Sequence, residues 1–186
     1  MSLVPNHCSD LQNDRSLGQF WEERFCSLAA SYGKMFTAHQ INRGKSAAAL
    51  IKANGKYHRL LLPDITVWSA PGEHHEIKHK SPTKSGCFGL EDYRLVALKW
   101  FADETQQKVF YTIHDWASAG GREVRENRPN DWFACEIGTL WQATLSGVAN
   151  KAKFDSWVGG KKQTKIEGWF WPSNLWSPVI ETWEMP

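Results

Sequence analysis

Asp64, Glu76 and Lys78 are the residues of this chain whose types and spacing could do chemistry together. Asp64 follows Pro63 and leads into Ile65-Thr66-Val67-Trp68, while Glu76 and Lys78 sit in His75-Glu76-Ile77-Lys78-His79-Lys80. Both stretches read as strands, and strand side chains alternate between faces. Glu76 and Lys78 therefore share a face that Ile77 does not. Asp64 and Thr66 share one that Ile65 and Val67 do not. A hairpin centred near Pro71 would set Asp64 opposite Lys78 and diagonal to Glu76, with diagonal neighbours roughly 7–8 Å apart. Ile65, Val67 and Ile77 would pack into the core behind. Two carboxylates so placed can share a hard divalent cation such as Mg²⁺ or Mn²⁺. Such a cation acidifies its bound water and stabilises charge on a phosphate, and a neighbouring lysine balances the rest. The chemistry these residues fit is hydrolysis of a phosphodiester.

The elements that must position them can be read along the chain. Residues 1–16 read as an N-terminal arm. Leu17 to Tyr32 carry Leu17, Phe20, Trp21, Phe25, Leu28 and Ala29 at helical spacing, with Ser16 as N-cap and Gly33 as terminator. Strand-like runs follow at 34–40, 57–62, 65–69 and 75–80. Asn42 to Gly55 stays ambiguous between helix and strand, with Asn54-Gly55 as a turn. Ser81 to Gly89 reads as a loop. Leu90 to Asp103 reads as a helix with Leu90, Tyr93, Val96, Ala97, Trp100 and Phe101 on one stripe. Val109 to His114 and Trp132 to Ile137 read as strands, Gly120 to Asn130 as a polar loop, and Gly138 to Asn150 as a helix. The expected fold is α/β, a mixed central β-sheet flanked by helices, over a core of 17–150. The Trp-rich stretch 151–186 is expected to pack on that domain.

Pro63-Asp64 with Glu76-Ile77-Lys78 resembles the motif of the PD-(D/E)XK nuclease superfamily, whose fold is restriction-endonuclease-like. The order of elements is similar over about residues 17–140, and the chain after Asn150 carries no part of the likeness. The resemblance implies a Mg²⁺- or Mn²⁺-dependent deoxyribonuclease, an endonuclease in the first instance. Asp64 and Glu76 would hold the metal, the Ile77 carbonyl would complete its shell, and Lys78 would position the attacking water. Many members carry an acidic residue on the first core helix. Glu22 is the position carried over, with Glu23 as the neighbour that could replace it. Tyr93 and Arg94 fall where several members place polar residues that face substrate, although no QxxxY motif is present. Lys80, Lys84, Arg94, Lys161 and Lys162, with Lys165 nearby, are the candidate nucleic-acid contacts. The segment Gly159-Gly160-Lys161-Lys162 reads as a mobile basic loop. DNA is the implied partner, and a homodimer would supply two sites for two strands.

Composition bounds these expectations. The chain has 186 residues, 41% hydrophobic and 23% charged, enough to bury a core and too apolar for a disordered chain. A formal net charge of +2 neither demands nor excludes a polyanionic partner, because a local basic groove suffices. Cys8, Cys26, Cys87 and Cys135 are irregularly spaced without a CxxC pair, which points to reduced thiols. No run approaches a membrane span and the first residues lack an apolar signal core, so the expected location is cytoplasmic, with no membrane partner.

Three other readings stay open on the residues alone. Asp64 could be a turn residue and Glu76–Lys78 a surface ion pair on a solvated strand. The fold could bind nucleic acid without cutting it. His74, His75 and His79 with Cys87 could make a zinc hydrolase, although His74 alternates away from the other two and no second compact ligand pair follows. Trp169, Phe170, Trp171, Trp176 and Trp183 read as core or interface, with base stacking the lesser alternative.

Overall fold

The structure, a computed structural model, describes residues 7–39, 50–53, 56–59, 63–68, 72–121, 126–158 and 161–184. Residues 7–17, 50–53, 56–59, 156–158, 161–164 and 184 among them are described by backbone alone. In chain order the elements are α1 (His7–Ser31), β1 (Met35–Ala38), β2 (Leu50–Ala53), β3 (Lys56–Arg59), β4 (Ile65–Trp68), β5 (Glu73–Lys80), β6 (Cys87–Glu91), α2 (Asp92–Thr105), β7 (Lys108–Asp115), β8 (Trp132–Glu136), α3 (Ile137–Leu145), β9 (Asn150–Val158), β10 (Lys161–Pro172), β11 (Ser177–Pro178) and α4 (Val179–Glu184). The fold is mixed α/β.

The central sheet runs β1-β4-β5-β7-β8-β11. β1, β4 and β5 are joined antiparallel, β5 and β7 lie parallel across the α2 crossover, and β8 returns antiparallel. β7 lies between β5 and β8 and is buried from Val109 through Asp115. The two faces of the sheet carry separate cores. Trp21, Phe25, Leu28 and Ala29 of α1 pack with Val179 and Trp183 of α4 over Ile65, Val67, Ile77 and Phe110. Leu95 and Leu98 of α2 pack with Ile137 and Leu140 of α3 over Val109, Tyr111 and Ile113 on the other face. Ile65, Val67 and Ile77 thus lie behind the motif, as alternation requires.

Several expectations are corrected. α1 begins at His7 rather than near Ser16, so Ser16 lies within the helix and not at its cap, and the stretch read as an arm is helical from His7. No Pro or Gly intervenes between Pro5 and Gly18 to stop it. At the other end Gly33 closes the helix at φ 69°, with Lys34 N–H donating to Ala29 O at 2.9 Å. The expected loop before α2 contains β6, and the helix starts at Asp92 rather than Leu90. That shift moves the buried stripe of α2 to Leu95, Leu98 and Phe101, while Tyr93 and Val96 are exposed. Leu50 and Ile51 are strand, and Ala53 pairs with Lys56, but the Asn54-Gly55 turn itself and residues 42–49 lie outside the described residues.

The Trp-rich stretch contributes strands to the central sheet and to a three-stranded sheet of order β6-β10-β9. β10 pairs with β6 on one side and β9 on the other, and β11 pairs with β8 at the rim of the central sheet. Trp171, Trp176 and Trp183 are buried in the two cores, as expected for core aromatics. The indole N–H groups of Trp171 and Trp176 donate to Leu140 O at 2.9 Å and Tyr111 O at 3.2 Å, so each ring is buried without an orphaned donor. Gly168 allows the three-stranded sheet to close, since a Cβ there would stand 2.7 Å from Leu90 O and against the Phe154 ring. Lys161 and Lys162, expected in a loop, begin β10. Cys26, Cys87 and Cys135 are buried free thiols. Among the described residues, no helix is long and apolar enough to cross a membrane.

Candidate active site

The antiparallel pairing of β4 and β5 sets Ile65 beside His75 and Thr66 beside His74. Continuing that register by one position brings Asp64 beside Glu76, with Lys78 diagonal. The expected register had Asp64 beside Lys78. Pairing starts as early as Glu73, which stands beside Val67, so the register is centred one residue earlier than Pro71. The slip is two residues along β5, and an even slip leaves every side chain on its face. Asp64, Glu76 and Lys78 still converge.

The contacts are direct. Asp64 Oδ2 accepts the Ile77 backbone N–H at 2.8 Å, which pins the residue after Pro63 to the middle of β5. Lys78 Nζ donates to Glu76 Oε1 at 2.5 Å and to the Ile77 carbonyl at 2.9 Å, and lies 3.7 Å from Asp64 Oδ2. Arg94, projecting from the first turns of α2, also donates through Nη1 to Glu76 Oε1. Its Nε lies 3.5 Å from Glu91. Glu76 is fully buried, and its second oxygen, Oε2, has no hydrogen-bond partner among the described residues.

The electrostatics separate the two carboxylates. Burial raises the Glu76 carboxyl, but Lys78 and Arg94 outweigh it and hold Glu76 below the usual range. At Asp64 the compensation falls short. Burial and the nearby Glu76 charge push its carboxyl up to about 7, with Glu22 adding to the rise and Lys78 and the Ile77 N–H opposing it. Lys78 is lowered by burial and raised more strongly by Glu76 and Asp64, so it stays a cation. Arg94 is likewise held protonated, as Glu76 and Glu91 overcome its burial.

The other expected residues distribute as follows. Glu22 sits half-buried on α1, which packs on the opposite face, and its charge reaches Asp64. Its neighbour Glu23 is exposed and accepts from Gln19 at 3.0 Å. Among the described residues, no three His, Cys, Asp or Glu side chains converge closely enough to hold a metal ion, so Glu22 does not join Asp64 and Glu76 as a third such ligand. Lys80 continues the face of Lys78, but its Nζ donates to Gly89 O at 2.7 Å, and burial lowers its ammonium to about 8. Lys84 is exposed in the turn before β6. Arg94 is committed to Glu76 rather than presented to solvent.

Glu91, Gly89 and Tyr111 are additions that sequence reasoning missed. Glu91 pairs with Arg94, and the Gly89 carbonyl accepts from both Lys80 and Tyr111 Oη, the latter at 2.9 Å. The i,i+3 spacing of Glu91 and Arg94 was a visible signal for the first. Tyr111 had none, because its partner belongs to a stretch that read as loop. A further chain runs along the same face. His39 Nε2 is 2.6 Å from Thr66 Oγ1, which is 2.8 Å from His74 Nδ1, and His74 Nε2 meets Gln107 Oε1.

The zinc arrangement is not assembled. His74 is engaged on the Asp64 face, while His75 bonds Thr112 Oγ1 at 2.8 Å and His79 bonds His114 Nδ1 at 3.0 Å on the other. The chain matches no protein-family model and no curated protein.

Proposed function

We propose that this protein is a metal-dependent nuclease that hydrolyses DNA phosphodiester bonds, on a restriction-endonuclease-like fold of the PD-(D/E)XK type. One observation carries the reading. Asp64, Glu76 and Lys78 converge on one face, with a fully buried Glu76 whose Oε2 has no hydrogen-bond partner among the described residues. A buried carboxylate oxygen without a donor is costly unless something else satisfies it. The order helix, strands, helix, strand around the motif supports the same reading.

The donor set fits Mg²⁺ or Mn²⁺. Mg²⁺ is commonly held by one or two carboxylates, with waters and substrate phosphate filling the remaining positions. Asp64 and Glu76 would hold it, with the Ile77 carbonyl, which accepts from Lys78, as the main-chain oxygen beside them. The ion would supply an acidified water and neutralise charge on the phosphate. Lys78 keeps a positive charge between two carboxylates that would otherwise repel a phosphate. Its contacts to Glu76 and the Ile77 carbonyl hold its ammonium beside both carboxylates, where it would position the attacking water or balance charge on the phosphate. The Ile77 N–H holds Asp64 Oδ2 still. Arg94 fixes the Glu76 carboxylate from α2, and Glu22 adds negative field that favours a cation beside Asp64.

A second reading has its own observation. Lys78 and Arg94 both neutralise Glu76, and a carboxylate compensated in this way can stay buried without a metal, as a domain that binds nucleic acid without cutting it would require. Labelled duplex, single-stranded, flapped and four-way DNA incubated with Mg²⁺, with Mn²⁺ or with EDTA separates the two. Cleavage of at least one substrate with metal and none in EDTA is the expected result. No cleavage of any substrate with either metal favours the binding domain.

A further inference from the structure

The hairpin of β9 and β10 outgrows the sheet it belongs to. β10 pairs with β6 only over Gly168–Pro172, whereas its pairing with β9 runs from Phe170 with Asn150 to Lys161 with Val158. From Lys161 to Glu167, β10 has β9 alone as its neighbour among the described strands. This two-stranded ribbon extends about 23 Å beyond Gly168 at ~3.3 Å per residue. A bulge between Gln163 and Ile166, with Lys165 at φ 59°, marks its middle, and bulges increase the twist of such a ribbon.

Its charge differs from that of the rest of the molecule. Lys151, Lys153, Lys161, Lys162 and Lys165 stand against Asp155 and Glu167, a net +3 on a chain whose total is +2. Lys153 and Lys165 are exposed. Lys151 is also exposed and is tied to Glu167 at 3.1 Å and Asp92 at 3.7 Å at the ribbon's root. The register sets Trp157 beside Lys162, so an aromatic residue interrupts the basic run.

The root is joined to the candidate site. Gly168 pairs with Glu91, Glu91 lies beside Arg94, and Arg94 holds Glu76. Trp169 Nε1 donates to Asp92 Oδ1 at 2.6 Å and fastens the ribbon to the N-terminus of α2. The basic ribbon therefore leaves the body from the rim of the Asp64–Glu76–Lys78 face.

The geometry points to the β9–β10 ribbon as a duplex-DNA arm, holding the phosphates that flank the one at Asp64 and Glu76. A ribbon of about 23 Å runs alongside roughly seven phosphates of one strand at ~3.4 Å each. The arm contributes affinity through Lys153, Lys161, Lys162 and Lys165, with little dependence on base sequence. This inference rests on the nuclease reading for the substrate and not for the binding itself.

The test is binding of a labelled duplex of about thirty base pairs by the full chain in EDTA, across a salt series. The quadruple variant K153A/K161A/K162A/K165A should bind at least tenfold more weakly at low salt. The slope of log affinity against log salt should fall by up to about 3.6, at ~0.9 for each phosphate no longer neutralised. The matching arginine variant should restore both. Melting temperatures identify misfolded variants, and K153E/K165E, confined to two exposed positions, should weaken binding by itself. Unchanged affinity and slope in both the quadruple and the reversal variant would overturn the inference, even if the wild type cuts DNA. Ribbon-dependent binding by a wild type that cuts nothing would support the arm and defeat the nuclease reading alone.

Discussion

The two faces of β5 bury polar side chains by opposite means. On one face Glu76 and Lys78 remain charged and are satisfied by one another, by Arg94 and by Asp64. On the other, His75 and His79 are packed among rings. His75 stacks on Phe110, and Trp21 stacks against both His79 and His114, its ring 3.6 Å from the His114 ring. Burial lowers the His114 imidazole to about 3, with His79 adding to the effect, and burial lowers His75 as well. One strand thus presents a charged surface to α2 and an imidazole surface to the Trp21 indole of α1. The charged face carries a raised Asp64 and an unsatisfied Glu76 oxygen, features that cost stability. The ring face is where α1 gains it back. Active sites are where such costs tend to collect.

The comparison can be broken most forcefully on the ring face. Trp21→Ala removes a fully buried indole that touches Phe20, His79, His114 and Trp132, and should cost about 3–5 kcal/mol in denaturant unfolding. A loss below about 1 kcal/mol would mean that α1 is not docked as described. On the charged face, Glu76→Ala leaves Lys78 and Arg94 without their shared carboxylate. It should cost about 3 kcal/mol, with Glu76→Gln intermediate.

The acid response sharpens the contrast. His114 binds its proton in the unfolded chain near pH 6.5 but in the folded protein only near pH 3. The unfolded state therefore takes up more protons between those values, and stability falls as the pH drops through that window. Thermal unfolding from about pH 7.5 to about pH 4 should show this fall, and His114→Leu should flatten it. An identical slope in that variant would remove His114 from the account. The smallest effect belongs to Asp64. Its carboxyl is raised, so the folded protein loses stability as pH rises from about 4 to about 7. Asp64→Asn, which can still accept the Ile77 N–H, should gain about 1 kcal/mol at about pH 8, or roughly 2–4 °C. The gain should vanish near pH 4.

What the sequence made legible follows from locality. Alternation within 64–68 and 75–80 places Asp64, Glu76 and Lys78 on one face without knowledge of the turn, because parity survives a two-residue slip. The register needed the turn length, which composition does not specify. The α2 stripe was displaced because Leu90 and Glu91 belong to a strand whose partner, β10, lies far along the chain. The same non-local pairing hid β9 and β10, where the bulge at Lys165 also breaks the period of two. Arg94 was visible as a basic residue near the motif. Its commitment to Glu76 rather than to solvent depended on where α2 starts.

The central claim is that Asp64, Glu76 and Lys78 form a metal-dependent cleavage site. Its most direct test is cleavage of a DNA panel by wild type, Asp64→Ala and Lys78→Ala, with Mg²⁺ or Mn²⁺ and with EDTA. The account predicts metal-dependent cutting by the wild type and a loss of about 10²–10³-fold or more in each folded variant. Full cleavage by both variants, or cleavage that persists in EDTA, would contradict it.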